Sequence, residues 1–205
     1  MIMDWTKLAD DNTIEKTAEA LNKNGFETII VETKEEAKNK ALELIPKGSE
    51  VMEMTSMTLQ DTGILKAIEE SGEYNSLRKK QLAINDEKER REFRKHNLGP
   101  QYAIGSVHAI TQDGKALIAS GSGSQLPAYA FGADNVIWVV STQKIVKNLD
   151  DGIKRIYEHS LPLESERINK LYNMTSGSSV SKILIYNKER AGRIKIILVK
   201  EKLGF

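Results

Sequence analysis

Asn135-Val136-Ile137-Trp138-Val139-Val140 is the most continuously apolar run in the chain. It does not alternate between apolar and polar residues, so the reading is a strand buried on both faces. That is the signature of a central strand in a parallel sheet covered by helices. The run is strand-sized and far below the length of a membrane span. Upstream, the chain alternates element types. Residues 12–24 read as a helix capped by Asn12 or Thr13, with Ile14, Ala18 and Leu21 on one face and Asn24–Gly25 closing it. Phe26–Glu32 reads as a strand. Thr33 then opens a second helix, with Glu36 at capping-box spacing, and Val51–Met54 reads as the next strand. Helix, strand, helix, strand at this spacing predicts a parallel sheet.

The rest of the chain completes the pattern. Residues 59–98 are more polar and helical, with segments at Ser76–Ile84 and Asp86–His96, and are expected as an insertion that covers one edge or forms a cap. Tyr102–Ile110 and Lys115–Ala119 read as strands around the turn Gln112-Asp113-Gly114, an expected hairpin. Leu126–Phe131, Lys147–His159 and Leu163–Tyr172 read as helices. Residues 182–187 and 193–200 read as an edge hairpin, the second strand alternating through Arg193, Ile194, Lys195 and Ile196. The expected class is α/β: a mixed, mostly parallel open sheet flanked by helices. It draws on segments 26–32, 51–54, 102–110, 115–119, 135–140, 182–187 and 193–200, in a single domain over 1–205 with its helical insertion at about 59–98.

At 205 residues the chain is long enough to bury a core without staples. It contains no Cys, which excludes disulfides, thiolate nucleophiles, cysteine-ligated zinc and iron–sulfur clusters held by this chain. With 30 Lys and Arg against 29 Asp and Glu the net charge is +1, so no overall field draws in nucleic acid or a membrane surface. The basic residues of 86–96 are interleaved with Asp86, Glu87, Glu89 and Glu92, as on a solvated face. Met1–Trp5 lacks a basic region followed by an apolar one, so no signal peptide is expected, and the sequon Asn173-Met174-Thr175 is taken as chance. A cytoplasmic location follows as the expectation.

Two stretches carry candidate chemistry. Gly121-Ser122-Gly123-Ser124-Gln125 leaves a strand and enters a helix, where small residues let backbone amides approach an anion. No Gly-Lys-Ser/Thr follows, and Leu126 stands where a dinucleotide fingerprint needs glycine. The segment is either a tight turn or a ligand loop. Thr55-Ser56-Met57-Thr58 leaves strand 51–54: Ser56 or Thr58 either caps the next helix or lines the same cleft. Ser141–Lys144 is a third strand exit, and Lys144 and Lys147 are candidate cations. His96, His108 and His159 have no metal-binding spacing, so no metal and no cofactor are expected. His96 and His159 fall near predicted helix ends, whereas His108, at a strand end, can face the cleft. The candidate ligand-binding set is Ser56, Thr58, His108, Gly121, Ser122, Gly123, Ser124, Gln125 and Lys144, around a small anionic ligand. No catalytic residue is identified.

Several runs together resemble the LUD domain family of lactate-utilization proteins. These are His108–Gly114, Gly121–Gln125, Phe131-Gly132-Ala133, Gln143–Leu149, Leu161–Arg167 and, upstream, Ser56–Ile64. The resemblance spans about residues 13 to 200. It implies a core similar to the sugar-phosphate isomerase and CoA-transferase superfamily (NagB/RpiA/CoA-transferase-like). It also implies a ligand-binding or accessory role in carboxylate (lactate) utilization, with iron–sulfur oxidoreductase subunits as partners. The alternatives are an enzyme acting on a small sugar phosphate or CoA ester, and a structural subunit of an oxidoreductase complex. A homodimer is the expected assembly. The family pattern often has Asn at the position of His108, and an Asp-Gly-Thr-Gly-Asn-Arg run where this chain has Ser120–Gln125.

Overall fold

In the computed structural model residues 3–173 and 175–205 are described; Met1, Ile2 and Met174 lie outside the described residues, and with them the start of the N-terminal stretch and the centre of the sequon. The strands are β1 Glu27–Val31, β2 Glu50–Glu53, β3 Asn75–Ser76, β4 Tyr102–Gly105, β5 Ala109–Thr111, β6 Ala116–Ser120, β7 Asn135–Ser141, β8 Ile145–Val146, β9 Lys182–Tyr186 and β10 Ile194–Val199. The helices are α1 Asp11–Lys23, α2 Lys34–Glu43, α3 Met57–Asp61, α4 Ile64–Glu70, α5 Leu77–Ala83, α6 Glu87–His96, α7 Leu149–Arg155 and α8 Leu161–Tyr172. No helix among the described residues is long and apolar enough to cross a membrane.

The α/β class and the mostly parallel open sheet flanked by helices hold, but the expected single sheet is corrected to two. Six strands form a wholly parallel sheet in the order β1-β10-β7-β4-β2-β3. Four more form a mixed sheet in the order β8-β5-β6-β9. The expected strand 102–110 breaks at Ser106–His108, and its halves enter different sheets. The expected edge hairpin at the C-terminal end is absent: β9 pairs antiparallel with β6, while β10 inserts between β1 and β7.

Side-chain alternation explains the layering. Val136, Trp138 and Val140 of β7 and Ile194, Ile196 and Leu198 of β10 face the second sheet, where they meet Ile110, Ala116, Ile118 and Tyr186, with Ile14 and Leu21 of α1. The opposite faces, Ile137, Val139, Ile197 and Val199, pack against Ala37 and Ala41 of α2, Leu59 of α3 and Ile64 of α4. The outer face of the second sheet, through Ala109, Leu117 and Ala119, packs against Ile153 and Ile156. β7 is therefore buried on both faces, as its unbroken apolar run predicts. Residues 59–98 are not wholly helical: β3 adds a short edge strand, and α3 and α4 supply core residues rather than an appendage.

Local signals mostly act as the chemistry predicts. Thr33 caps α2, its hydroxyl accepting from the Glu36 amide at 3.2 Å, while Glu36 accepts from the Glu32 amide at 2.9 Å. The cap of α1 is Asp10, not Asn12 or Thr13; its carboxylate accepts from the Thr13 amide at 2.9 Å. Gly25 has φ +92°, and a Cβ there would lie 2.0 Å from the Glu189 carbonyl oxygen, so only glycine fits this helix exit. The expected gap before Pro162 does not exist. A wide π-helical turn, Ile156–Ser160, joins α7 to α8 and takes up the mismatch of a proline near the start of α8.

Candidate functional site

Beyond the carboxyl ends of β2, β4 and β7 the parallel sheet opens into a cleft of about 960 Å³. Ligands of open α/β sheets bind at such ends. The loop after β6 faces it from the second sheet, and α5, α6 and α8 form its walls. Eight of the nine expected residues line the cleft: Ser56, Thr58, His108, Gly121, Ser122, Ser124, Gln125 and Lys144. Gly123 does not. It sits at φ +84° and turns the loop, a conformation that favours glycine whatever lies nearby. Lys147 is exposed and lies outside the lining.

Lys144 is the centre of the floor. It is 2% exposed, and its Nζ donates to Thr58 Oγ1 at 3.0 Å, Ser106 Oγ at 3.2 Å and the Val107 carbonyl at 3.3 Å. Each of these partners is a hydroxyl or carbonyl oxygen, so none neutralises the charge. Burial, reinforced by the nearby Arg155 guanidinium, brings the ammonium pKa down from 10.5 to about 7, against a smaller opposing pull from Asp61. The position of Lys144 is set by the end of β7, where a short 3₁₀ turn at Thr142–Lys144 swings it back over the sheet. Gln143 fixes that turn by donating to the carbonyls of Leu203 at 3.3 Å and Gly204 at 3.0 Å.

Ser56 performs the capping role, accepting from the Leu59 amide at 3.5 Å, and it also lines the cleft. Thr58 is buried, and its hydroxyl donates to the Leu203 carbonyl at 3.4 Å, which leaves a lone pair for Lys144.

His108 follows the break between β4 and β5. Its Nδ1 accepts from the Ala119 amide at 3.1 Å, so the ring proton sits on Nε2. Burial and then the cations Lys144 and Arg155 lower its pKa from 6.5 to about 3, which keeps the ring neutral. Its carbonyl accepts from Arg155 Nη1 at 2.6 Å. Arg155 is fully buried; Nη1 also donates to Ser160 Oγ at 3.2 Å, while Nε and Nη2 have no hydrogen-bond partner among the described residues. Burial lowers this guanidinium to about 10, which still leaves it charged at neutral pH. His159 lies in the π-helical turn rather than at a helix end. Burial and the same two cations bring it down to about 4.

The loop Ser120–Gln125 is more self-contained than a free anion cradle. The Gly123 amide donates to Ser120 Oγ at 2.8 Å, Ser120 Oγ donates to Gln125 Oε1 at 2.9 Å, and the Ser124 amide donates to Ser122 Oγ at 3.3 Å. Those amides organise the turn, so the cations facing the cleft are side chains: Lys144 on its floor and Arg78, Arg90, Arg94 and Arg167 on its walls, with Arg155 buried outside the lining.

Three lining residues escape a reading by motif. Ser106 bonds Lys144 from inside what looks like a continuous strand. Glu53 ends β2 buried; its Oε1 has no partner among the described residues, its Oε2 accepts from the Arg78 amide at 3.4 Å, and burial raises the carboxyl. Tyr129 packs beside Gly105 with its hydroxyl buried and unpartnered, and burial raises that hydroxyl far above the usual phenol range. Arg155 escapes as well, since one arginine on a charged helix carries no local mark of burial.

The LUD domain family model matches residues 14–199. Among curated proteins none matches the chain. Among solved structures the chain is similar to a DUF162 family protein from Deinococcus radiodurans, at 9% identity and a TM-score of 0.58, with 94% of this chain and 99% of that chain covered. At that identity the likeness speaks for the fold alone. The chain is also similar to eIF2B beta from Chaetomium thermophilum, at 13% identity and a TM-score of 0.41, over 68% of this chain and 48% of that chain. That score is too low to carry an argument.

Proposed function

This chain belongs to the LUD domain family, and from that premise and its cleft we propose that it binds a small anionic ligand, a carboxylate such as lactate, over Lys144. The carrying observation is that Lys144 on the cleft floor, and Arg155 buried beside it outside the lining, have only hydroxyl and carbonyl partners among the described residues. Buried cations without a carboxylate are unfavourable alone and are relieved by an anion. Ser56 and Ser124, which line the cleft, supply hydroxyl donors around it. The biological role is accessory: the chain works as one cytoplasmic domain of the sugar-phosphate isomerase and CoA-transferase kind, beside an iron–sulfur oxidoreductase in carboxylate utilization.

Calorimetry with lactate, inorganic phosphate and acetyl-CoA tests the binding step on the parent and on Lys144→Met. The expected result is a bound carboxylate whose affinity falls about tenfold or more in the variant, the worth of a charge-assisted contact. Because Lys144 sheds its proton near neutrality, affinity also weakens as pH rises through about 7. Equal affinity in the two proteins, or no binding of any of the three, overturns the proposal. The cleft volume of about 960 Å³ favours a second reading, an enzyme whose substrate has an anionic head and a larger body such as a CoA ester. Preferential binding of acetyl-CoA supports that one.

A further inference from the structure

We infer that the Lys144 amine is a nucleophile toward a small carbonyl compound bearing an anionic group, forming an imine in the cleft. The inference rests on the anion-binding proposal for its ligand class and on separate geometry for its chemistry. An amine attacks carbonyls only as the free base, and burial beside a second cation is what makes a lysine one at neutral pH. Lys144 has both conditions: it is buried at the floor of the cleft, and it has no carboxylate to hold its proton. Its ammonium form fills three donor positions, toward Thr58, Ser106 and Val107. Loss of one proton frees one of these directions. Val107 offers a backbone carbonyl, which only accepts, and the Thr58 hydroxyl is committed to the Leu203 carbonyl. Ser106 is the adjustable partner: it is half-buried, it lines the cleft, and its own contact to the Val107 carbonyl is long at 3.4 Å. The lone pair is therefore released on the Ser106 side, toward the ligand space.

The step balances without a co-reactant. The Nζ lone pair adds to the carbonyl carbon, and an N–H proton passes by way of the Ser106 hydroxyl to the carbonyl oxygen, giving a carbinolamine. Its C–O bond then breaks, water leaves with a second proton from nitrogen, and the imine remains. The groups that set the proton affinity of Lys144 are Arg155 from α7, which lowers it, and Asp61 from α3, which raises it, with the neutral His108 ring alongside.

The test is reductive trapping of the intact chain with cyanoborohydride and one of three probes: glyoxylate, glycolaldehyde phosphate or the uncharged propanal. Adducts are assigned by peptide mapping. At pH 7 about half of Lys144 is unprotonated, whereas an ordinary lysine is unprotonated at about one part in a few thousand. Lys144 is expected to be labelled at least about tenfold faster than exposed lysines such as Lys7 and Lys147. Its rate should rise through about pH 7, over the range in which a non-carbonyl anion loses affinity. Ser106→Ala should slow labelling at Lys144 without altering it at Lys147. Faster labelling by glyoxylate or by glycolaldehyde phosphate identifies the anionic group as carboxylate or phosphate. Propanal labelling equal to both upholds the nucleophile and overturns the anionic class. Glyoxylate that binds by calorimetry yet labels Lys144 no faster than exposed lysines overturns the nucleophile and leaves the anion site standing. Absence of any adduct at Lys144 overturns the inference outright.

Discussion

Lys144 on the floor of the cleft, with Arg155 buried beside it outside the lining, sits among hydroxyl and carbonyl oxygens, whereas three pairs of charged residues on α6 and α8 lie nearer solvent with partners one helical turn away. These are Arg167–Glu164 at 2.7 Å, which faces the cleft, and Lys95–Glu92 at 2.7 Å and Lys170–Glu166 at 2.6 Å, which lie outside its lining; neither helix contains a buried residue. The floor uses the ends of β4 and β7, whose side chains interlock with both core layers. The same chemical groups thus cost little on the walls and a great deal on the floor. A charge retained where it is unfavourable points to function, while a charge placed where it is nearly free points to solubility.

The largest effect expected to separate floor from walls comes from Trp138→Ala. Trp138 is fully buried in β7, with edge-on rings of Tyr129 at 5.5 Å and Tyr186 at 5.2 Å. Its removal should cost about 3–5 kcal/mol in urea unfolding, and a loss under about 1 kcal/mol would mean that the floor strand is not rigidly packed. Lys144→Met sharpens the same contrast through pH. The folded-state pKa of Lys144 is about 7 against an ordinary 10.5, so between those values the unfolded chain holds a proton that the folded one does not. The burial penalty is fully present below pH 7 and vanishes above 10.5. Parent stability relative to the variant should therefore rise by about 2 kcal/mol from pH 7 to 9; parallel curves would show that the amine titrates normally.

A smaller effect is expected on the acid side. The folded-state pKa of His108 is about 3 against 6.5, so its neutral ring favours the folded state above 6.5, and this advantage is lost as pH falls toward 3. His108→Asn keeps an acceptor for the Ala119 amide, and it should reduce the stability lost between pH 7 and 5 by about 1–2 kcal/mol. An unchanged acid slope would assign that loss to other groups. Arg167→Ala on the wall gives the smallest change. Breaking its pair with Glu164 should shift unfolding by no more than about 1 kcal/mol, and a larger loss would erase the contrast between wall and floor.

The parts of this molecule legible in its sequence are those set by local pattern. Val136–Val140 reads as a doubly buried strand because burial on both faces removes alternation, and Thr33 reads as a cap because the capping partners are three residues apart. Strand exits at Thr55–Thr58, Ser120–Gln125 and Lys144 are likewise local, and the cleft gathers residues from all three. Pairing partners are not local. Adjacency in sequence suggests a hairpin for 182–187 with 193–200, but the alternation of β10 suits either sheet, and only tertiary packing sends it between β1 and β7. The break at Ser106–His108 hides inside an apolar run, and Ser106 with it. Arg155 and Glu53 could not be picked out, because the burial of a single charged residue depends on neighbours far away in the chain.

The placement of β10 has a consequence for how the chain is made. β1 has β10 as its hydrogen-bonded neighbour in the parallel sheet, in the register Thr28 opposite Ile196. A chain emerging from the ribosome in order produces β1, at Glu27–Val31, long before β10, at Ile194–Val199. Until then β1 and the flank of β7 present open strand edges, and the carbonyls of Leu203 and Gly204 that steady Gln143 beside Lys144 do not yet exist. Non-local pairing of this kind is slow to form and leaves sticky edges exposed meanwhile. A partly synthesised chain is thus a candidate for chaperone capture, and the cleft acquires its floor only once β10 and the residues that follow it have been made.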